Sequence, residues 1–310
     1  MDSPKVFEPS SRPGMGWVPD YPDFRDYDIN KNEIPPQQKI KGQKKTIKEM
    51  LGELGVARKT GIKLETANDL RRWCSPIENQ LSLGSCTAHA GAGMVEYFAR
   101  RAFGEHTDAS RLFLYKVTRN LLNWTGDTGA YLRTTMAALT LFGVPPEEFW
   151  PYIVAEFEKE PTPFLYAYAQ NYQAISYYRL DPPGTSRETL LQRIKTYLKA
   201  GLPSMFGFTV YSSYIQARDT GKIPYPVKGD KRVGGHAVMA VGYDDEMVIK
   251  NANSDQVETT GALLIRNSWG TDWGEGGYGW LPYEYVLRSL AVDWWSILKS
   301  EWVDTKQFGL

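Results

Sequence analysis

The chain has 310 residues, 42% of them hydrophobic and 23% charged, enough for one large domain or two lobes around a sizeable core. Its 36 basic and 36 acidic side chains cancel, which excludes a protein-wide electrostatic footprint for nucleic acid or anionic membrane. Two cysteines are too few for a disulfide-stapled secreted scaffold, and no run of about 18 apolar residues is present to span a membrane. The first residues carry no apolar signal-peptide run, so a soluble, cytoplasmic protein is expected. Cys74 and Cys86 have no CxxC or HxxxH partner, so no metal is expected.

Residues 1–65 differ in texture from the rest of the chain. Up to Pro35 the segment is rich in proline, aspartate and tyrosine, with seven acidic against four basic residues. Frequent proline excludes a long helix and predicts an extended, turn-rich path. Trp17, Tyr21, Phe24 and Tyr27 would be costly to leave in water, so this part is expected to dock on the folded body. From Pro36 to Lys63 the balance turns basic, eight against two. Ile47, Met50, Leu51 and Leu54 share a face and predict a short helix within Thr46–Val56. The lysine-rich Gln37–Lys48, with Gly52, Gly55 and Gly61, is expected to be the least rigid stretch, where proteolytic nicking concentrates. A solvated tail and a cover over a functional cleft are the two readings of the whole segment.

Gln80-Leu81-Ser82-Leu83-Gly84-Ser85-Cys86 then delivers a cysteine from a glycine–serine turn into an apolar-periodic run. Ala88, Ala92, Val95 and Ala99 recur at helical spacing, with Met94 and Phe98 beside them, and predict a buried helix through Arg100. Cys86 would sit at its N-terminus, where free N–H groups and the dipole favour a thiolate. Gln80 is close enough in sequence to supply an oxyanion donor, and the competing reading is a packed core thiol. Cys74 is expected to be packed.

Two further helices are predicted over Ser110–Asn120 and Tyr131–Phe142, joined by a turn-rich loop that contains Gly129. Thr185-Ser186-Arg187-Glu188 has the pattern of a capping box, opening a helix whose apolar face is Leu190, Leu191, Ile194 and Leu198. Strands are predicted over Pro203–Val210, His236–Tyr243, Met247–Asn251 and Ala262–Ser268, with a long polar hairpin or loop spanning Asp244–Thr260. Trp294, Trp295, Trp302 and Phe308 in the tail are expected to pack on the domain surface.

Within the strand region, Gly234-Gly235-His236-Ala237-Val238 places a histidine at a strand mouth, and Ile265-Arg266-Asn267-Ser268-Trp269-Gly270 comes after it. With the spacing from Gln80 to Cys86, these separated motifs come in the order of the papain-like cysteine peptidases, which the chain resembles from about Asp69 to Tyr285. The resemblance implies an α+β, two-lobed fold: a peptidase domain over 66–310, mostly helical over 66–152, then an antiparallel β-barrel-like lobe over 153–310, with the site in the cleft between them. It implies a prokaryote-type cysteine endopeptidase that works through an acyl-enzyme without a cofactor. Cys86 would be the nucleophile, His236 the base, Asn267 its orienting partner and Gln80 the oxyanion donor. Trp269 would shield the asparagine, and Gly129 and Gly235 would border the substrate backbone, with Thr128 where relatives carry a second glycine. Residues 1–65 would be a prosegment over the cleft, making the chain a self-inhibited zymogen, although the helix pattern of eukaryotic prosegments is absent. Expected partners are a peptide or protein substrate and the chain's own N-terminal segment, with the protein a monomer. An acyltransferase on the same scaffold and a silent binding protein are the alternatives; the four intact polar residues argue against the latter.

Overall fold

The computed structural model describes residues 13–24, 26–40, 42–57, 62–172, 176–254 and 257–310. In chain order its elements are α1 Pro36–Ile40, α2 Ile47–Glu53, β1 Ala67–Asp69, α3 Cys86–Phe103, α4 Arg111–Leu121, α5 Leu132–Leu141, α6 Pro163–Ala169, β2 Ser176–Arg179, α7 Arg187–Lys199, β3 Ser204–Tyr211, β4 Arg232–Lys250, β5 Glu258–Arg266, β6 Tyr278–Pro282, α8 Tyr283–Leu287, β7 Ala291–Leu298 and α9 Ser300–Asp304. The fold is α+β with two lobes. Helices α3, α4 and α5 pack on one another, and α3 also lies against β4. The strands form one antiparallel sheet along the path β2–β7–β3–β4–β5–β6, with β1 paired to β4 beside it.

Local chemistry accounts for the elements that matter. Helix α3 is buried along almost its whole first half because Ala88, Ala90, Gly91, Ala92 and Gly93 let neighbours approach closely. It stops at Gly104, which takes the left-handed C-cap conformation at φ 75°. Helix α7 is capped by Ser186, whose hydroxyl accepts from the Thr189 N–H. The reciprocal acid of the expected capping box is missing, because the third helical position is threonine. Strand β4 runs through the break expected at Asp244 and absorbs it as a register shift between Asp244 and Val248 against β5.

Two expectations change. The tail does not lie on the surface: β7 is an interior strand between β2 and β3, with Trp294 and Trp295 among the largest fully buried side chains. Trp294 stacks on Phe206 with ring centroids 3.9 Å apart, and Arg179 lies over Trp295. Trp302 and Phe308 flank Phe98 of α3. A run of aromatics reads as surface cover only when its strand is at an edge, and this one is buried on both faces.

Nor is all of Gln37–Lys48 loosely held, although Lys41 lies outside the described residues. Thr46 and Glu49 form a reciprocal capping box at the start of α2, whose Ile47, Met50 and Leu51 are buried. Ser300 Oγ accepts the N–H groups of Lys44 and Lys45 at 3.2 Å each, and the Leu310 N–H donates to Leu54 O at 3.0 Å. Residues 43–56 are thus a clamp seated in the core against α9; Gly61 lies outside the described residues. The segment before Pro35 is held differently. Trp17 is buried, whereas Tyr21 and Phe24 are 87% and 88% exposed. Asp20 and Asp26 both pair with Arg133, the latter at 2.7 Å, and Asp26 also meets Arg179 at 3.4 Å.

This division is measurable by chemical denaturation. Leu51→Ala is expected to cost about 2–5 kcal/mol, the usual range for a buried leucine. Tyr21→Ala is expected to stay within about 0.5 kcal/mol of the parent; a cost for Leu51→Ala as small as that would mean the clamp is not core.

Candidate active site

Cys86 is the first residue of α3, so its N–H has no partner inside the helix. Its sulfur accepts the N–H of Ala237 at 3.4 Å, which places it beside the residue following His236 in β4. His236 is bonded through Nε2 to Asn267 Oδ1 at 2.8 Å. That oxygen also accepts the Ser268 N–H at 2.8 Å, which identifies it as the carbonyl end of the amide. Nε2 therefore carries the proton and donates, leaving Nδ1 as the basic nitrogen, which has no hydrogen-bond partner among the described residues. Trp269 stacks on the imidazole, ring centroids 4.5 Å apart and planes 22° apart, and covers the His236–Asn267 pair.

Gln80 is oriented by a residue that carries no motif of its own. Ser268 Oγ donates to Gln80 Oε1 at 2.6 Å, so the Gln80 Nε2 donors turn to Leu83 O and Gly14 O, each at 2.8 Å. Sequence reasoning misses Ser268; the available signal is its position between Asn267 and Trp269. Tyr152, also missed, donates to Gln80 O at 2.9 Å and contacts Ser85 Oγ at 2.7 Å. His89 is packed, with Nδ1 near Ser85 and its ring edge-on to Tyr152, and burial pushes it down to about 3. Cys74 is a buried free thiol, pushed up to about 11 by burial.

The N-terminal chain runs through this cleft. The Gly14 N–H donates to Leu81 O at 2.9 Å, while its own carbonyl takes the Gln80 donor. Ala130 donates to Gly16 O at 2.7 Å and accepts from the Val18 N–H at 3.1 Å, a parallel pairing on one lobe. On the other lobe the Trp17 N–H donates to Gly235 O at 3.2 Å. Gly129 lies under this strap: a Cβ there would sit 2.1 Å from Gly16 O, but the hydrogen bonds are made by its neighbour Ala130. Gly16 itself admits no side chain, since a Cβ would fall 1.7 Å from Gly84 O. The Trp17 indole enters a pocket lined by Gly207 and Gly235, where its Nε1–H donates to Asp293 Oδ2 at 3.1 Å.

The strap leaves Cys86 and His236 with no exposed surface. Burial pushes the Cys86 thiol up to about 11, against the backbone N–H groups of Ala237, Gly16, Thr87 and Trp17, which all favour the anion. Burial also pushes His236 down to about 4, against its bond to Asn267. Near neutral pH the covered pair is therefore a thiol and a neutral imidazole. Among the described residues no cluster of His, Cys, Asp and Glu is arranged to hold a metal, and no helix is long and apolar enough to cross a membrane.

Comparison with known proteins places this geometry among relatives. Residues 64–286 match the papain family cysteine protease model. An uncharacterised peptidase C1-like protein of Acanthamoeba polyphaga mimivirus is 33% identical over 225 residues, covering 71% of this chain and 68% of its own length. Cathepsin K of Gallus gallus is 28% identical over 68% of this chain, which spans only 57% of that protein. Among solved structures, xylellain, a cysteine protease from Xylella fastidiosa, superposes with a TM-score of 0.70 at 31% identity, covering 95% of this chain and 99% of that one. The digestive procathepsin L 3 of Tenebrio molitor shares the fold at 18% identity and a TM-score of 0.57.

The burial of the sulfur predicts its reactivity. In the full chain at pH 7, iodoacetamide should modify Cys86 and Cys74 equally slowly. Gly16→Val, whose added atoms collide with the Gly84 backbone, should unseat the strap and speed labelling of Cys86 by about tenfold or more, with Cys74 still inert. Peptide mapping of the labelled chains decides it; Cys74 reacting first would refute the site.

Proposed function

The chain belongs to the papain family of cysteine proteases, and from that premise we propose that it is a cysteine endopeptidase made as a self-inhibited zymogen. The observation that carries the reading is the placement of three residues: Cys86 Sγ against the N–H of Ala237, next to His236 in β4, and His236 fixed by Asn267 so that Nδ1 is basic. Cys86 attacks the scissile carbonyl and His236 moves the proton, finally to the leaving amine. Gln80 Nε2, held by Ser268, and the free N–H of Cys86 receive the oxyanion, a role whose loss typically costs about 10²–10³-fold in rate. Extended substrate is gripped by backbone on both lobes, at Ala130 beside Gly129 and at Gly235, with its side chains read by pockets.

Self-inhibition is supported by which atoms of the strap meet which atoms of the site. A cleavable peptide puts one carbonyl against both the sulfur and the oxyanion donor. Here the donor holds the Gly14 oxygen, while the sulfur meets the N–H groups of Gly16 and Trp17. These belong to different peptide units, so no bond is poised for attack. Tenebrio molitor procathepsin L 3, a pro-form by its name, shares the fold, which fits a chain that carries its own covering segment. Activation then removes the strap and leaves the clamp. This moves the nicking expected at Gln37–Lys48, Gly52, Gly55 and Gly61 to the stretch between residues 18 and 36, because α2 and its flanks are core.

Two measurements on one fluorogenic peptide set test the proposal. The full chain should be nearly inactive and Gly16→Val active, by about 10²-fold or more if the strap acts at the effective concentration of a short tether. N-terminal sequencing of the matured protein should begin between residues 19 and 36. Equal activity of the two chains, or a mature start beyond residue 57, would refute it.

Within the activated enzyme, Ser268→Ala should lower kcat by about 10-fold with little change in KM, because Gln80 keeps its place but loses its orientation. An unchanged kcat would remove Ser268 from the account.

A further inference from the structure

Past the backbone pairing at Ala130, the N-terminal chain meets a guanidinium on the helical lobe. Arg133 stands in the first turn of α5, three residues after Ala130, and its side chain is 26% exposed. Each of its three nitrogens faces an acceptor on the N-terminal chain. Nε and Nη2 take the two oxygens of the Asp26 carboxylate as a fork, at 2.7 and 3.0 Å. Nη1 donates to Asp20 Oδ2, and Nη2 also donates to Tyr21 O at 2.7 Å. Among the described residues, both carboxylates paired with Arg133 therefore lie in the stretch 20–26.

An arginine kept only to fasten α5 to the body should find a carboxylate on the body. Helix α5 offers none, since it has no acidic residue, and its start has no side-chain cap. The free N–H groups of its first turn thus add to the positive potential around Arg133. Trp295 presents its ring 5.8 Å from the guanidinium, which supports the fork without neutralising it. Arg179 lies on the same ring at 5.0 Å but differs in one respect. It keeps Asp181 at 2.9 Å and Asp293 at 3.2 Å when Asp26 goes, so its charge stays met. Departure of residues 20–26 leaves Arg133 as a part-exposed cation with no carboxylate among those described. A planar fork matches a carboxylate through two parallel N–H···O bonds.

We propose that in the matured enzyme Arg133 is an exosite for acidic peptide substrates, one that selects an aspartate or glutamate beyond the Ala130 grip. Its place is marked by the strap: Asp20 comes three residues after Trp17, about 10 Å of extended chain. The inference rests on the endopeptidase reading and requires the maturation cut to fall after Asp26, so that both carboxylates leave.

Binding is measured first. Full-length chain carrying Gly16→Val and Cys86→Ala, with Asp20→Ala and Asp26→Ala to release Arg133, is titrated by fluorescence anisotropy. The labelled peptides contain one tryptophan and place Asp or Asn at each successive position to either side. At one position Asp should bind about tenfold tighter than Asn in low salt, and the gap should narrow in about 0.5 M salt. Arg133→Gln should close the gap, and Arg133→Lys, which keeps the charge but not the fork, should retain part of it. Restoring Asp20 and Asp26 should also close it, because the site is then filled from within the chain; this arm leaves Arg133 unaltered and stands even where Arg133→Gln does not fold. Absence of binding, no position that favours Asp, or a preference that survives Arg133→Gln or the restored carboxylates overturns the proposal. So does a mature N-terminus at or before Asp26. In the matured enzyme the same Asp should lower KM by about tenfold with kcat unchanged. Hydrolysis without that preference overturns the exosite, whereas selective binding without hydrolysis refutes the endopeptidase reading alone.

Discussion

A guanidinium cannot be taken out of water without compensation, and the burial of Arg179 organises much of this molecule. Stripping its hydration costs several kcal/mol unless carboxylates and hydrogen bonds replace it. Asp181 supplies one contact at 2.9 Å, Asp293 another at 3.2 Å, and Asp26 a third at 3.4 Å. These come from three separate stretches of chain. Asp181 also accepts the backbone N–H groups of Asp293 and Trp294, so the same carboxylate that meets the arginine pins the irregular start of β7. The interior position of the tail strand, the placement of Asp293 under a pocket and the docking of the acidic N-terminal stretch all meet at one cation.

Residues 13–56 use two kinds of physics. The clamp is held by apolar burial, which acts at short range and is not screened by salt. The strap is held by backbone pairing, by one buried indole and by carboxylates on the part-buried Arg133 and the buried Arg179. Its glycines lose more backbone entropy on ordering than any other residue, which weakens a segment that must be able to leave. Gly14 and Gly16 are nevertheless required, since a Cβ on either would run into the backbone of Leu83 or Gly84. In the proposed zymogen such a cover acts at the high effective concentration of a tethered segment. The clamp supplies that tether with a fixed anchor.

The proposed catalytic residues are legible in the sequence because each has a local signature: a glycine turn before Cys86, a glycine pair leading into the strand at His236, and an Asn-Ser-Trp-Gly run around Asn267. Nothing comparable marks Ser268, whose part depends on an amide 188 residues away in sequence. The Gly14-Met15-Gly16-Trp17 run is legible only for its tryptophan, because the reason for its glycines is close approach to another part of the chain. Tyr21 and Phe24 are expected from hydrophobicity to dock with Trp17, yet only Trp17 has a glycine-walled pocket to enter. Trp294 and Trp295 escape prediction for a related reason. A strand buried on both faces loses the alternation that identifies strands, and a tail gives no hint that it returns to the middle of a sheet. Helix α2 is visible through its apolar face, but its permanence is not, since the partner that covers it, α9, lies about 250 residues on.

The strap does more than occupy space, and the reason is electrostatic. A thiolate–imidazolium pair buried without water must repay two desolvation penalties with one attraction, and in a dry interior the neutral pair wins. That is the direction seen here, with the thiol pushed up and the imidazole pushed down by the same cover. For the thiol, a raised value means a greater neutral fraction at every pH below it; for the imidazole, a lowered value means the same at every pH above it. Between about 4 and about 11 the covered site therefore holds one proton on sulfur and none on Nδ1. Uncovering readmits water to both groups but leaves Ala237, Thr87 and the end of α3 still aimed at the sulfur, so the terms that favour the anion survive while the term that opposed it is removed. In the proposed zymogen, a single segment thus both covers the nucleophile and neutralises it, and both effects are expected to end when that segment leaves.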